Sequence, residues 1–182
     1  CRWSWPMIPR LGAHDAACAA LLASLPHMTP HRLGTLLRHH RPAEAVEVLR
    51  GSVQPVGLAA RVLADDGVRT AWRNGVGESA LASVAERCAA SMVGVHVLGH
   101  AGYPELLAAD AAAPTVLFSR GDLSLLAGRR VAMVGTRNAT RAGKEAARSI
   151  AADLAASGVH VVSGLARGVD GAAHGGVLGA DA

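Results

Sequence analysis

Aromatic side chains make up only 3% of this 182-residue sequence, and none follows Phe118. Sequence-tolerant strand binding by stacking bases on Phe, Tyr or Trp rings therefore has no residues to use in the C-terminal part. Cysteine is equally sparse. Cys1, Cys18 and Cys88 are odd in number, far apart and in no Cys-x-x-Cys arrangement, which points to neither a disulfide framework nor a zinc site and fits a reducing cytoplasm. No run approaches the ~20 apolar residues of a membrane span. Near the start, Arg10, His14 and Asp15 interrupt the apolar stretch around Trp3 and Trp5 before the core of a signal peptide forms.

What is present is a half-apolar composition with 18% charged residues, that of a chain that folds as one ordinary domain or two small ones. The first residue is Cys1 rather than Met, and Gly179-Ala-Asp-Ala182 stops in what reads as a helix or its exit, so the sequence reads as a piece of a longer protein. The formal charge of +4 is unevenly placed. From Arg129 onward seven Arg/Lys face four Asp/Glu, whereas the preceding 128 residues carry eleven against ten. A basic excess in the C-terminal part is compatible with a polyanion partner and equally with a solvated helix face.

Residues 1–91 read as a small all-α domain. Helices are expected over Ala16 to Leu25, Pro30 to His39 and Ala43 to Arg50, with further segments after Pro55 and Glu78, separated by turn signals at Pro26-His27, Arg41-Pro42 and Gly51-Ser52. Residues 92–128 read as a linker or lead-in subdomain, with alternating Val93, Val95 and Val97, a short strand over Pro114 to Phe118 and a turn at Ser119 to Asp122. Residues 129–182 read as the first βαβ part of a parallel α/β domain: a strand over Arg130 to Gly135, a helix over Thr140 to Ser157, and a strand over Val159 to Ser163. Ala146, Ala147, Ile150, Ala151, Leu154 and Ala155 form an apolar stripe for packing that helix on a sheet, and Gly158 supplies its stop. Strands so apolar imply a sheet covered on both faces, with further elements expected after Ala182.

Two loops carry the chemistry. In the first, the strand ends at Gly135 and passes through Thr136, Arg137 and Asn138 into a helix, so that glycine permits close backbone approach, helix-start N–H groups offer an anion site, and Arg137 adds a forked donor matched to phosphate. In the second, Ser163 and Gly164 lead to Arg167 and Gly168, with Asp170 as the expected helix cap. Consecutive parallel strands present their C-terminal ends side by side, so the loops should flank one crevice and both arginines can face the same anion. The spacing excludes a Gly-x-Gly-x-x-Gly dinucleotide fingerprint. Gly143-Lys144 is not a Walker ending either, because Glu145 stands where a magnesium-binding Ser or Thr is needed. His174 has no ligand-spaced partner and reads as structural.

These residues closely resemble the DprA/Smf family: Val134-Gly-Thr-Arg137 with Thr140 and Gly143, then Ser163-Gly-Leu-Ala-Arg-Gly-Val-Asp170 and Ala172-Ala-His174. Tyr103-Pro-Glu-Leu-Leu107 and Pro114-Thr-Val-Leu-Phe118-Ser-Arg-Gly121 look like that family's lead-in, and the helical part resembles its sterile-alpha-motif-like or helix-hairpin-helix segment. The resemblance implies a Rossmann-like domain that binds single-stranded DNA in a basic pocket, dimerises through that domain and loads the RecA recombinase during natural transformation. It implies a DNA-contacting role for Arg137 and places a second basic pocket residue, and the dimer and RecA contacts, beyond Ala182. One departure is the hairpin. Where Pro-Gly-x-Gly would approach a phosphate, the sequence has Leu25-Pro-His-Met-Thr-Pro30, and the basic-leaning segment His27, His31, Arg32, Arg38, His39, His40 and Arg41 reads as a solvated face.

No nucleophile, acid/base pair or metal cluster is evident, so neither catalysis, nor a metal, nor a cofactor is expected. The competing reading is a LOG-type nucleotide phosphoribohydrolase or a nucleotide-sensing domain on a related fold. The Pro-Gly-Gly-x-Gly-Thr-x-x-Glu string of those enzymes does not occur. With no aromatic residue after Phe118, binding should be led by phosphate contacts and salt-sensitive, at roughly −0.7 in log–log slope per neutralised phosphate on a single strand.

Overall fold

A computed structural model describes residues 9–179. Cys1, Trp3, Trp5 and the helix exit read at Ala180–Ala182 lie outside the described residues. The chain divides into two compact units between Gly121 and Asp122.

The first unit is built around α1 (Ala13–Ser24), in which six consecutive residues, Ala17 to Leu22, are buried. A helix apolar on all sides must be enclosed, and α1 is enclosed by α3, α6 and a strand pair. Proline starts the next two helices, α2 (Pro30–His39) and α3 (Pro42–Arg50), because its fixed φ suits the first helical position and its missing N–H has no partner to lose there. Thr29 caps α2 by accepting from Arg32 N. The cap of α3 comes from α1: the Asp15 carboxylate accepts from Ala43 N at 3.0 Å and pairs with Arg41 at 3.0 Å. Gly51, at φ +89, closes α3 in the left-handed conformation.

The segment after Pro55 resolves into a single turn, α4 (Ala59–Val62), and a polar helix, α5 (Asp66–Gly75), whose one buried residue is Trp72. That indole is fully enclosed, and its Nε1–H donates to Pro26 O at 2.7 Å, fixing the α1–α2 turn in which His27 adopts φ +60. α6 (Glu78–Ala90) follows. Arg50 ties α3 to α5 and α6, donating Nε–H to Val76 O at 2.9 Å and pairing with Glu47 and Glu78, each at 2.6 Å.

β1 (Val93–Val97) pairs antiparallel with β2 (Val116–Arg120), Val97 opposite Val116 and Val95 opposite Phe118. Val97 and Val116 are buried, and both strands pack on α1. The connection holds a one-turn helix, α7 (Glu105–Ala108), and is pinned where Tyr103 donates its hydroxyl to Pro114 O at 2.7 Å. The stretch 92–121 thus joins the helices instead of standing apart as a lead-in subdomain, because strand pairing across the connection gives both strands an apolar face to lay on α1. The second strand also lies two residues later than the expected Pro114 to Phe118.

The second unit starts with a 3₁₀ turn (Leu123–Ala127) capped by Asp122. β3 (Arg130–Ala132) and β4 (His160–Val162) are parallel neighbours with Val131 opposite Val161. They are joined through α8 (Arg141–Ala156), and α9 (Val169–Gly179) follows. This is the expected Rossmann-like βαβ arrangement. The strands are shorter than their apolar runs. The α8 stripe is divided: Ala147 and Ala151 are buried while Ala146 and Ile150 are exposed, and the main neighbour of α8 is α9 rather than a strand.

Candidate functional site

The C-terminal ends of β3 and β4 release two loops. The first, residues 133–140, carries Gly135, Thr136, Arg137 and Asn138, all exposed. Thr136 Oγ1 accepts from Asn138 N at 3.2 Å, and Thr140 caps α8 by accepting from Gly143 N at 3.1 Å. The second loop, residues 163–168, carries Ser163, Gly164, Arg167 and Gly168. Ser163 Oγ accepts from Leu165 N at 3.0 Å and supports Leu165 at φ +53, a conformation a leucine rarely adopts, with its side chain exposed.

The loops touch directly. Val169 N donates to Thr136 O at 3.3 Å. Gly168 has φ +90, and a Cβ there would lie 2.2 Å from Thr136 O and 2.7 Å from Arg137 O. A Cβ on Gly135 would lie 2.7 Å from Val169 Cβ. The close approach that these glycines allow is therefore that of one loop to the other, where the sequence pointed to the approach of a ligand. It brings the backbone of Arg137 against Gly168, next to Arg167. Asp170 is not the helix cap; it lies within the first turn of α9, is buried, and its Oδ2 accepts from Gly164 N at 3.0 Å, holding the second loop to the helix it precedes.

Arg137 and Arg167 are exposed, and among the described residues neither has a carboxylate within ion-pair distance. Arg141, and Lys144 in a role other than the Walker ending excluded above, are further cations near these loops that the sequence patterns did not single out. Both stand in the opening turns of α8, which has no acid in its first turn, so they add positive charge at the positive end of a helix dipole. The signal was a capping Thr140 followed by cations at the first and fourth helical positions. Four cations thus stand on or next to the two interlocked loops, while the nearby carboxylate of Asp170 is buried and engaged, so positive charge predominates at the strand ends. Among the described residues no group of three or more His, Cys, Asp or Glu could hold a metal ion, and no helix is long and apolar enough to cross a membrane.

A parallel strand–helix–strand whose Gly-rich loops meet at the strand ends defines the second unit as a Rossmann-like α/β domain. Residues 94–182 match the family of DNA recombination-mediator protein A, and over this part the chain is similar to proteins of the DprA/Smf family. It is similar to the DNA processing protein DprA of Bacillus subtilis, 42% identical over 73 residues, which is 40% of this chain and 25% of that protein. It is likewise similar to the protein Smf of Escherichia coli, 42% identical over 72 residues, or 40% of this chain and 19% of that one. A putative DNA processing protein DprA of Mycobacterium tuberculosis is 51% identical over 63 residues, 34% of this chain and 16% of that one. In fold, the chain resembles the crystal structure of DprA from Streptococcus pneumoniae, with a TM-score of 0.62 and 22% identity over 94% of this chain. That match spans 56% of the pneumococcal chain, and the aligned segments span a quarter or less of the curated relatives.

Proposed function

We propose that the protein binds single-stranded DNA through its phosphates at the crevice between the 133–140 and 163–168 loops, as a non-enzymatic mediator in DNA processing. In this reading Arg137 and Arg167 grip the phosphodiester backbone, Gly135, Thr136 and Asn138 with Ser163, Gly164 and Gly168 shape the loops, and Arg141 and Lys144 add longer-range attraction. The observation that carries it is the interlocked pair of loops, which sets two arginines without acidic partners beside a helix start that itself carries only cations. Relatives named for DNA processing and a family named for recombination mediation support a DNA ligand over a mononucleotide. We further propose, as what the resemblance to the DprA/Smf family implies, that the whole protein loads RecA in natural transformation, forms a homodimer through the Rossmann-like domain and acts in the cytoplasm.

The test is fluorescence anisotropy of a labelled oligothymidylate with the whole protein, wild type against Arg137→Ala and Arg167→Ala, across a salt series. Binding should be stronger than to duplex. Each substitution should weaken it and flatten the log–log salt slope by roughly 0.7. Equal binding by all three proteins would remove the arginines from the site, and hydrolysis of nucleoside monophosphates that depends on this protein's residues would replace the reading with an enzymatic one.

A further inference from the structure

The basic-leaning segment of the first unit separates into two sets of residues. His40 and Arg41 are engaged in the fold: His40 is buried with Nε2 accepting from Val56 N at 3.2 Å, and Arg41 pairs with Asp15. His39 packs its ring beside Gly57. His31, Arg32 and Arg38 line an open groove between α2 and the α4–α5 turn. On α2, His31, Thr35 and Arg38 follow the i, i+4, i+7 spacing that places residues on one helix face. Across from them stand Leu58, Arg61 and Val62, with Arg32 at the margin.

The groove measures about 490 Å³, within the range of ligand clefts. Three guanidiniums surround it against a single carboxylate, that of Asp65, which is occupied in accepting from Val68 N at 3.0 Å. Arg32 donates to His27 O at 2.8 Å and lies 5.7 Å from the centre of the Trp72 ring, so it is held in place without being neutralised. Arg38 and Arg61 are exposed, and neither forms an ion pair among the described residues. Like charges gathered around one concavity raise its potential and favour a polyanion. The exposed Leu58 and half-buried Val62 give the groove an aliphatic wall, against which a base can rest without a specific edge contact.

We infer that this groove is a second docking site for single-stranded nucleic acid, with Arg38 and Arg61 taking phosphates and Leu58 and Val62 the face of a base. The inference rests on the reading of the protein as a single-strand binder, and it adds a contact separate from the crevice. Guanidinium forks match phosphate oxygens in pairs, and the ligand's continuous backbone supplies the repeated negative charge that the convergent arginines lack from the protein itself.

The experiment uses the whole protein and a long labelled oligothymidylate, comparing Arg38→Ala/Arg61→Ala with Arg38→Lys/Arg61→Lys and with Arg137→Ala. Because both groove arginines are exposed and unpaired, the double variants should keep the wild-type melting temperature. The alanine pair should bind about tenfold more weakly and flatten the salt slope by roughly 1.4, two phosphate contacts' worth; the lysine pair should keep most of the slope. If the alanine pair binds with wild-type affinity and slope while Arg137→Ala is impaired, the groove inference fails and the crevice reading stands. If the alanine pair is impaired while Arg137→Ala is not, the groove stands and the crevice reading fails. A Glu/Leu amphipathic peptide whose binding the alanine pair abolishes, with strand binding untouched, would overturn the inference in favour of an acidic protein partner.

Discussion

Replacing Gly168 by alanine strikes the contact on which the crevice depends. Its φ of +90 is left-handed, costing an L side chain about 1–2 kcal/mol. The added methyl would also lie 2.2 Å from Thr136 O and 2.8 Å from Arg137 C, both backbone atoms that no side-chain rotation can move aside. The first loop must therefore retreat by about 1 Å to restore an ordinary carbon–oxygen contact. That retreat breaks the 3.3 Å bond from Val169 N to Thr136 O, a loss of about 0.5–1.5 kcal/mol. With the distortion of residues 136–137 added, we expect about 3–5 kcal/mol of destabilisation. Gly158→Ala is the matched control, because its φ is +68 and nothing lies within 4 Å of the new methyl; it should cost only the conformational part. Urea unfolding followed by circular dichroism measures both, and oligothymidylate anisotropy at low temperature should show weaker binding by Gly168→Ala alone. If the two variants are equally stable and bind equally well, the loop-to-loop contact is not what holds the crevice.

Trp72→Phe removes the bond to Pro26 O and leaves a void in an enclosed site, and should cost the first unit about 2–3 kcal/mol in urea unfolding. Glu47 is held below the ordinary carboxylate range, first by the Ser52 hydroxyl and then by Arg50. Its contribution to stability is therefore complete above that range and is lost as pH falls through its lowered folded-state value. Glu47→Gln should reduce the fall in melting temperature on acidification, and an unchanged acid limb would exclude the carboxylate as its cause. Burial, reinforced by Asp15, pushes the Cys18 thiol up to about 11. Iodoacetamide at mildly alkaline pH should then leave Cys18 unlabelled in the native protein and label it after denaturation, as peptide mass mapping can show; rapid native labelling would mean that α1 opens readily.

The helices most legible in the sequence were those whose ends are written in local chemistry. Pro30 marked the start of α2, Pro42 that of α3 within one residue, and Thr140 and Gly158 bracketed α8. α5 was harder to see because its only large apolar residues are Val68 and Trp72, with Val76 at its end, a stripe of one residue per turn among polar and small residues. The β1–β2 pairing spans a connection from Leu98 to Thr115, and nothing local announces that Val97 will meet Val116. In the site, the chain positions of Arg137 and Arg167 were readable from strand–turn–helix patterns. The mutual contact of Gly135 and Gly168 with the opposite loop was not, because it arises only when β3 and β4 pair. Asp170 was misplaced for a related reason: its residue type suits a cap, but its partner, Gly164 N, lies in the loop that the helix folds back upon.

The crossing of α8 and α9 is close enough that a methyl on Gly176 would lie 2.2 Å from Arg148 O. Gly176 lies seven positions from Val169, about 10 Å of helix, and three from the end of α9, so the contact acts as a fulcrum and the start of α9 as the long arm of a lever that ends against the 133–140 loop. Widening the crossing by one methyl would tilt that arm and disturb the contact of Val169 and Gly168 with the backbone of Thr136 and Arg137. If the loops hold strand phosphates as proposed, variation at Gly176 should register as altered affinity before it registers as altered fold.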